Sequence, residues 1–167
     1  MTAMNGVPLT QVLQVAVVVE NLQRSMEQYW QTMGIGPWQV YTFQPPALTN
    51  PRVRGVETPY TMKLALAQVG AVQWELIEPL EGPSIYKEFL AQHGEGLHHC
   101  AFATGDMSFQ EAVAAFAKLD IPILMQGTWN GITYAYMDTE KRIGTIVEIY
   151  DWPEGITLPP PEEVYPA

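Results

Sequence analysis

The chain is poor in cysteine, in histidine and in positive charge. One Cys and three His occur in 167 residues, and eight Lys and Arg stand against eighteen Asp and Glu, for a formal charge of -10. Each scarcity excludes something. A lone thiol, Cys100, closes no internal disulfide, which fits a reducing compartment. Tracking a phosphate backbone by counterion release needs clustered cations, and the net charge here has the wrong sign. No run reaches the roughly eighteen apolar residues of a membrane span, and the first nine residues lack the basic and apolar segments of a secretion signal. A cytoplasmic protein that engages neither nucleic acid nor membrane is expected.

What is present is a 47% hydrophobic chain of a length that suits one well-packed unit. Residues 13–19, "LQVAVVV", predict a strand. Asn21 then offers an N-cap to a helix with Leu22, Met26, Tyr29, Trp30 and Met33 as its core face, stopped by Gly34. The Pro- and Gly-rich stretch 36–60 predicts a short strand and a long loop, and residues 62–68 and 72–77 a hairpin. Ser84 caps a linker helix ended by Gly94, after which the order restarts. Strand "HHCAFAT" leads to a helix over 108–119 opened by a Ser108/Glu111 capping box, a hairpin turned at Asn130-Gly131, and a last strand "TIVEIYDW". The expected fold is therefore α+β: two tandem βαβββ modules forming a curled mixed sheet around a central cleft. The expected boundaries are an N-terminal arm 1–10, modules 11–80 and 97–152 joined by the linker 81–96, and a Pro-rich tail 153–167. The tail is expected to lie extended on the surface or to cross to a partner subunit.

The two halves place chemistry at matching points. Side chains alternate along a strand, so His98 and His99 are expected on opposite faces, His98 packed under the second helix and His99 in the cleft. In the first strand Gln14, Ala16 and Val18 form the row that corresponds to His99, Ala101 and Ala103. Glu75 and Glu148 are carboxylates inside otherwise apolar strands, and burying an ionised carboxylate is costly unless it is paired or bound to metal. Gln14, Glu75, His99 and Glu148 thus form one candidate cluster. Tyr134 and Tyr136 share a face and are candidates to line the cleft, and Arg52 and Arg54 are the paired cations nearest its expected mouth.

The double βαβββ order, the opening "LQVAVVVENLQRSMEQYW", the central "WELIEPLEGPSIYKEFLAQHGEGLHHCAFAT" and the closing "DTEKRIGTIVEIY" resemble the vicinal oxygen chelate superfamily over roughly residues 11–152. That family holds glyoxalase I, methylmalonyl-CoA epimerase, extradiol dioxygenases and bleomycin-resistance proteins; "ELIEPLEGPS" and "GEGLHH" are most similar to the epimerase. The resemblance implies one divalent metal on a quasi-twofold axis, with ligands at Gln14, Glu75, His99 and Glu148. It also implies Glu148 as ligand and base, with Glu75 facing it, and a homodimer. Gln rather than His in first place is similar to the eukaryotic type of glyoxalase I. The epimerase pattern has an acidic residue just before the third strand, where this chain has Thr58, with Glu57 one residue away.

One imidazole and three oxygen donors suit Zn, Ni, Co, Mn or Mg, and a single candidate His argues against the two-His iron site of an extradiol dioxygenase. The expected function is a metal-dependent lyase or isomerase that moves a proton next to a carbonyl through a metal-stabilised enediolate. Its expected partner is a small 2-oxo compound, hemithioacetal or acyl-thioester. A protein that sequesters a small molecule on the same scaffold is the alternative.

Overall fold

A computed structural model describes residues 6–167; residues 1–5 of the expected N-terminal arm lie outside the described residues. The first half runs β1 (Gln11–Val18), α1 (Leu22–Met33), β2 (Trp38–Phe43), β3 (Leu48–Val53), β4 (Val56–Glu57), β5 (Met62–Val69) and β6 (Val72–Pro79). A helix, α2 (Ile85–His93), leads to β7 (Gly96–Ala103), α3 (Phe109–Lys118), β8 (Ile123–Trp129), β9 (Ile132–Met137), the single turn α4 (Glu140–Ile143) and β10 (Ile146–Asp151). A short β11 (Glu163–Tyr165) closes the chain.

Local chemistry accounts for the element ends. Asn21 Oδ1 accepts from the Arg24 amide at 2.8 Å, and Gly34 ends α1 in the left-handed region at φ 66. Ser108 and Glu111 cap α3 reciprocally. One expectation for α1 is corrected. Trp30 and Met33 are 40% and 57% exposed, because the buried stripe narrows to Leu22, Ser25 and Met26 with Tyr29 at its edge. Trp30 lies on the flank of that stripe, over the backbone of Gly36.

All eleven strands join one curled, unclosed mixed sheet in the order β11-β2-β5-β6-β1-β7-β10-β9-β8-β3-β4. At its centre β1 and β7 run antiparallel, and each has a parallel outer neighbour, β6 for β1 and β10 for β7. The halves are thus related by a quasi-twofold axis between β1 and β7. On the outer face α1 covers Val17, Val19, Trp38 and Leu76, while α3 covers Met137, Val147 and Ile149, against which Val7 and Leu9 of the N-terminal arm also pack. The inner face carries Ala16, Val18, Ile77, Tyr134 and Tyr136, with Ile85 and Tyr86 of α2 packed onto it.

Two segments differ from expectation. The stretch expected as mostly loop contains the β3–β4 hairpin, and β3 reaches across to pair antiparallel with β8 of the second half. A register break between Thr49 and Arg52 accommodates Asn50 and Pro51, two residues that a regular ladder disfavours. The tail, expected to lie on the surface or to cross to a partner, instead returns to its own sheet, where β11 pairs with the edge strand β2. Glu162 anchors it, its carboxylate accepting from the Thr42 amide and hydroxyl at 2.8 Å each. Among the described residues no helix is long and apolar enough to cross a membrane.

Candidate functional site

The register of the four central strands builds two facing rows. Across β6, β1 and β7 run Glu75, Ala16 and His99; across β1, β7 and β10 run Gln14, Ala101 and Glu148. The quasi-twofold axis exchanges the rows, Gln14 with His99 and Glu75 with Glu148. In each row the middle position is a fully buried alanine. A methyl group there leaves the polar side chains on either side free to converge above the sheet.

They do converge. His99 Nε2 lies 3.2 Å from Glu148 Oε2 and 3.5 Å from Glu75 Oε2, and all three side chains are buried. Gln14 is buried beside them and its amide nitrogen donates to Gln73 Oε1 at 2.8 Å, which leaves its carbonyl oxygen as the group a cation would meet. Sequence reasoning passed over Gln73, whose neighbours Val72 and Trp74 give it no distinguishing pattern.

The two histidines do not diverge as alternation predicts. Ala16 faces His99 while Val17 faces Leu97, so His98 is the extra residue of a β-bulge. The bulge turns both rings to the inner side, with Nδ1 of His98 2.9 Å from Nδ1 of His99. His98 also does not pack under α3, the helix of the second module, where it was expected. Its ring sits 5.3 Å from Tyr86 and 5.1 Å from Phe89, both on α2. With its Nδ1 engaged by His98, the His99 ring presents Nε2 to the carboxylates.

Burial drives the electrostatics. Desolvation, helped by the charge of His99, pushes His98 down to about 2, and a backbone hydrogen bond at Ile85 opposes this only weakly. Burial pushes His99 down as well, but Glu148 and Glu75 outweigh it and carry its pKa up to about 9. Glu75 is raised by burial against the pull of His99, with Glu148 raising it further. Two carboxylates around one imidazole require a positive charge, and in the protein alone a proton on His99 supplies it.

The donor set also fits a divalent ion. His99 Nε2 and Glu148 Oε2 are shut off from solvent and, among the described residues, have only the carboxylate–imidazole contacts of this cluster. One nitrogen and three oxygens form a hard to borderline set. Among the described residues no three His, Cys, Asp or Glu side chains already stand in a metal-holding arrangement, because His99 lies directly against the carboxylates. An ion would take the place of that contact and of the His99 proton.

Above the cluster opens a narrow cleft of about 80 Å³. Tyr134 and Tyr136 line it, as do Phe43, Trp129, Tyr150 and Trp152. The Phe43 and Trp129 rings stack at 4.0 Å, and Tyr136 lies 4.7 Å from the His99 ring. Behind this wall Tyr86 donates to the Tyr136 hydroxyl at 2.6 Å, and the Tyr60 and Tyr134 hydroxyls meet at 2.8 Å. A Cβ on Gly127 would fall 2.6 Å from the Tyr134 hydroxyl, so only glycine leaves room for that pair. Tyr60 and Tyr86 were not legible as site residues, since both lie outside the strands that carry the repeat.

Arg52 and Arg54 are engaged elsewhere and line no part of this cleft. Arg54 forms a two-pronged pair with Glu88 of α2 at 2.8 and 2.6 Å, and Arg52 donates to the Gly55 carbonyl. Glu57 is exposed on the edge strand β4, likewise away from the cleft.

Residues 13–136 match the family described as the glyoxalase/bleomycin resistance protein/dioxygenase superfamily. An uncharacterized protein of Bacillus subtilis (strain 168), YqjC, is 34% identical over 98 residues, 56% of this chain and 67% of that protein. Two solved structures share the fold. A variant Streptomyces coelicolor methylmalonyl-CoA epimerase in complex with 2-nitronate-propionyl-CoA superposes with a TM-score of 0.63 at 22% identity, over 90% of this chain and 99% of that one. The Mycobacterium tuberculosis methylmalonyl-CoA epimerase gives a TM-score of 0.61 at 18% identity, over 92% and 95%.

Proposed function

Because the chain belongs to the glyoxalase/bleomycin resistance protein/dioxygenase superfamily, we propose that it is a divalent-metal-dependent isomerase or lyase that moves a proton on the carbon next to a carbonyl. The observation that carries this reading is the buried cluster in which His99 Nε2 meets Glu148 Oε2 and Glu75 Oε2 at the floor of the cleft. A bound divalent ion would supply Lewis-acid withdrawal of charge from a substrate carbonyl, which makes the neighbouring C–H acidic.

The chain's own groups do the rest. His99, oriented by His98, and the Gln14 carbonyl hold one side; Glu75 and Glu148 hold the other. Glu148 takes the proton and returns it, and Glu75 keeps the opposite side of the site negative so that the ion remains in place. The aromatic walls limit water around the developing negative charge, which strengthens every electrostatic contact made there.

Solvent-deuterium exchange into small 2-hydroxyketones, hemithioacetals and acyl thioesters tests the reading. Zinc- or nickel-supplemented protein is expected to exchange the carbon-bound proton of at least one class, and Glu148→Gln to slow this by about a hundredfold or more. Absence of exchange in every class would favour a sequestering protein, for which the aromatic lining of the cleft is the supporting observation.

A further inference from the structure

From the composition of the cleft wall we infer that the substrate is an uncharged, aryl-bearing carbonyl compound rather than an acyl-CoA or a carboxylate. The inference rests on the proposed proton-transfer site only for where the reacting carbon sits.

Charge is its first support. All eight Lys and Arg of the chain lie outside the cleft lining, and the two ionisable groups that face the cleft as acids are Glu75 and Glu148. Arg54 is held by Glu88, and Arg24 is held by Glu95. Lys63 lies on β5 between Met62 and Leu64, which do line the cleft, so alternation turns it to the outer face. An anionic group lodged in the cleft away from the His99 cluster would lose its hydration with no Lys or Arg side chain to replace it.

Shape and surface supply the second support. One wall is the stacked Phe43 and Trp129 pair, with Tyr41 edge-on to Trp129 at 5.6 Å, and Tyr134 tilted against Phe43 at 6.1 Å. Aliphatic groups complete the lining, with Ile132 beside Trp129 across the β8–β9 hairpin, Leu64 beside Tyr41 across β2 and β5, and Leu66 and Leu158 adding to them. A lining of aromatic and branched aliphatic side chains with few polar groups suits an apolar ring. Ring contacts on one side and the donor cluster on the other place the labile carbon between an aryl group and the carbonyl.

The test uses (R)-1-hydroxy-1-phenylpropan-2-one, its para-carboxylate derivative and methylmalonyl-CoA, with binding read by quenching of tryptophan fluorescence. Trp129 and Trp152 both line the cleft and would report it. The neutral ketone is expected to bind saturably and the para-carboxylate at least about tenfold more weakly, with methylmalonyl-CoA not competing. Leu158→Arg, which puts a cation at a half-buried tail position of the cleft lining, is expected to shift the ratio of para-carboxylate to neutral-ketone affinity by about tenfold in favour of the carboxylate. Equal or tighter binding of the carboxylate or of methylmalonyl-CoA overturns the inference, as does failure of the neutral ketone to bind below millimolar concentration. Loss of optical activity and deuterium uptake at the carbinol carbon are followed in the same samples. Discriminating binding without exchange would fail the proton-transfer reading and leave this inference standing; exchange without discrimination would do the reverse.

Discussion

His98 is a neutral ring wedged between α2 and the ring that faces the carboxylates. In the unfolded chain it titrates near 6.5, and in the fold near 2. Between those values the unfolded chain binds more protons, so the stability His98 contributes is complete above pH 6.5 and is lost as the pH falls, by up to about 1.4 kcal/mol per unit. Thermal melts from pH 6.5 to 4 on His98→Asn are expected to show a shallower acid limb than the parent; an identical limb would remove His98 as its cause. The same residue should matter for metal. His98→Ala is expected to weaken zinc binding by about tenfold, and His98→Asn, whose amide oxygen can accept from His99 Nδ1–H, to restore part of it. At this scale the sequence was partly legible. Gln14, Glu75, His99 and Glu148 stood out because the repeat aligned them and because carboxylates in apolar strands demand a partner. The bulge at His98 did not, since nothing in "GLHHCAFA" marks where a strand will carry an extra residue.

Among the elements, the central strands work as spacers. Ala16 and Ala101 are small where their neighbours on the outer face are Val17 and Phe102, and this contrast keeps an open volume between the two rows. Replacing Ala101 by Val puts two extra carbons between Gln14 and Glu148. It is expected to lower stability by about 1–3 kcal/mol and to abolish metal binding while far-ultraviolet circular dichroism is unchanged; retained binding would show that the rows are wider than the register implies. The polar-then-small pattern of these strands was readable in advance, and so were the helix caps, because both are local. The pairing of β3 with β8 was not. It joins segments more than seventy residues apart, and Asn50 and Pro51 give the strand the composition of a loop.

For the whole molecule, the sheet manages its edges with pieces from elsewhere in the chain. β11 covers β2 at one end, and the β3–β4 hairpin, tied to α2 through Arg54 and Glu88, covers β8 at the other. A chain ending at residue 160 is expected to lose about 1–3 kcal/mol of stability and to self-associate through the bared β2 edge, read by denaturant melts and analytical ultracentrifugation. Unchanged melting would mean that the tail adds no stability.

The proposed function turns on whether the four central side chains, Gln14, Glu75, His99 and Glu148, hold a divalent ion. Calorimetric titration of the chelator-treated protein with zinc at pH 7, in two buffers of different ionisation enthalpy, tests it most directly. His99 carries a proton at that pH, with its pKa at about 9, so binding is expected at one ion per chain with release of about one proton. His99→Ala should weaken it by about a hundredfold. Uptake below about 0.2 ions per chain, or equal affinity in His99→Ala, would contradict the claim.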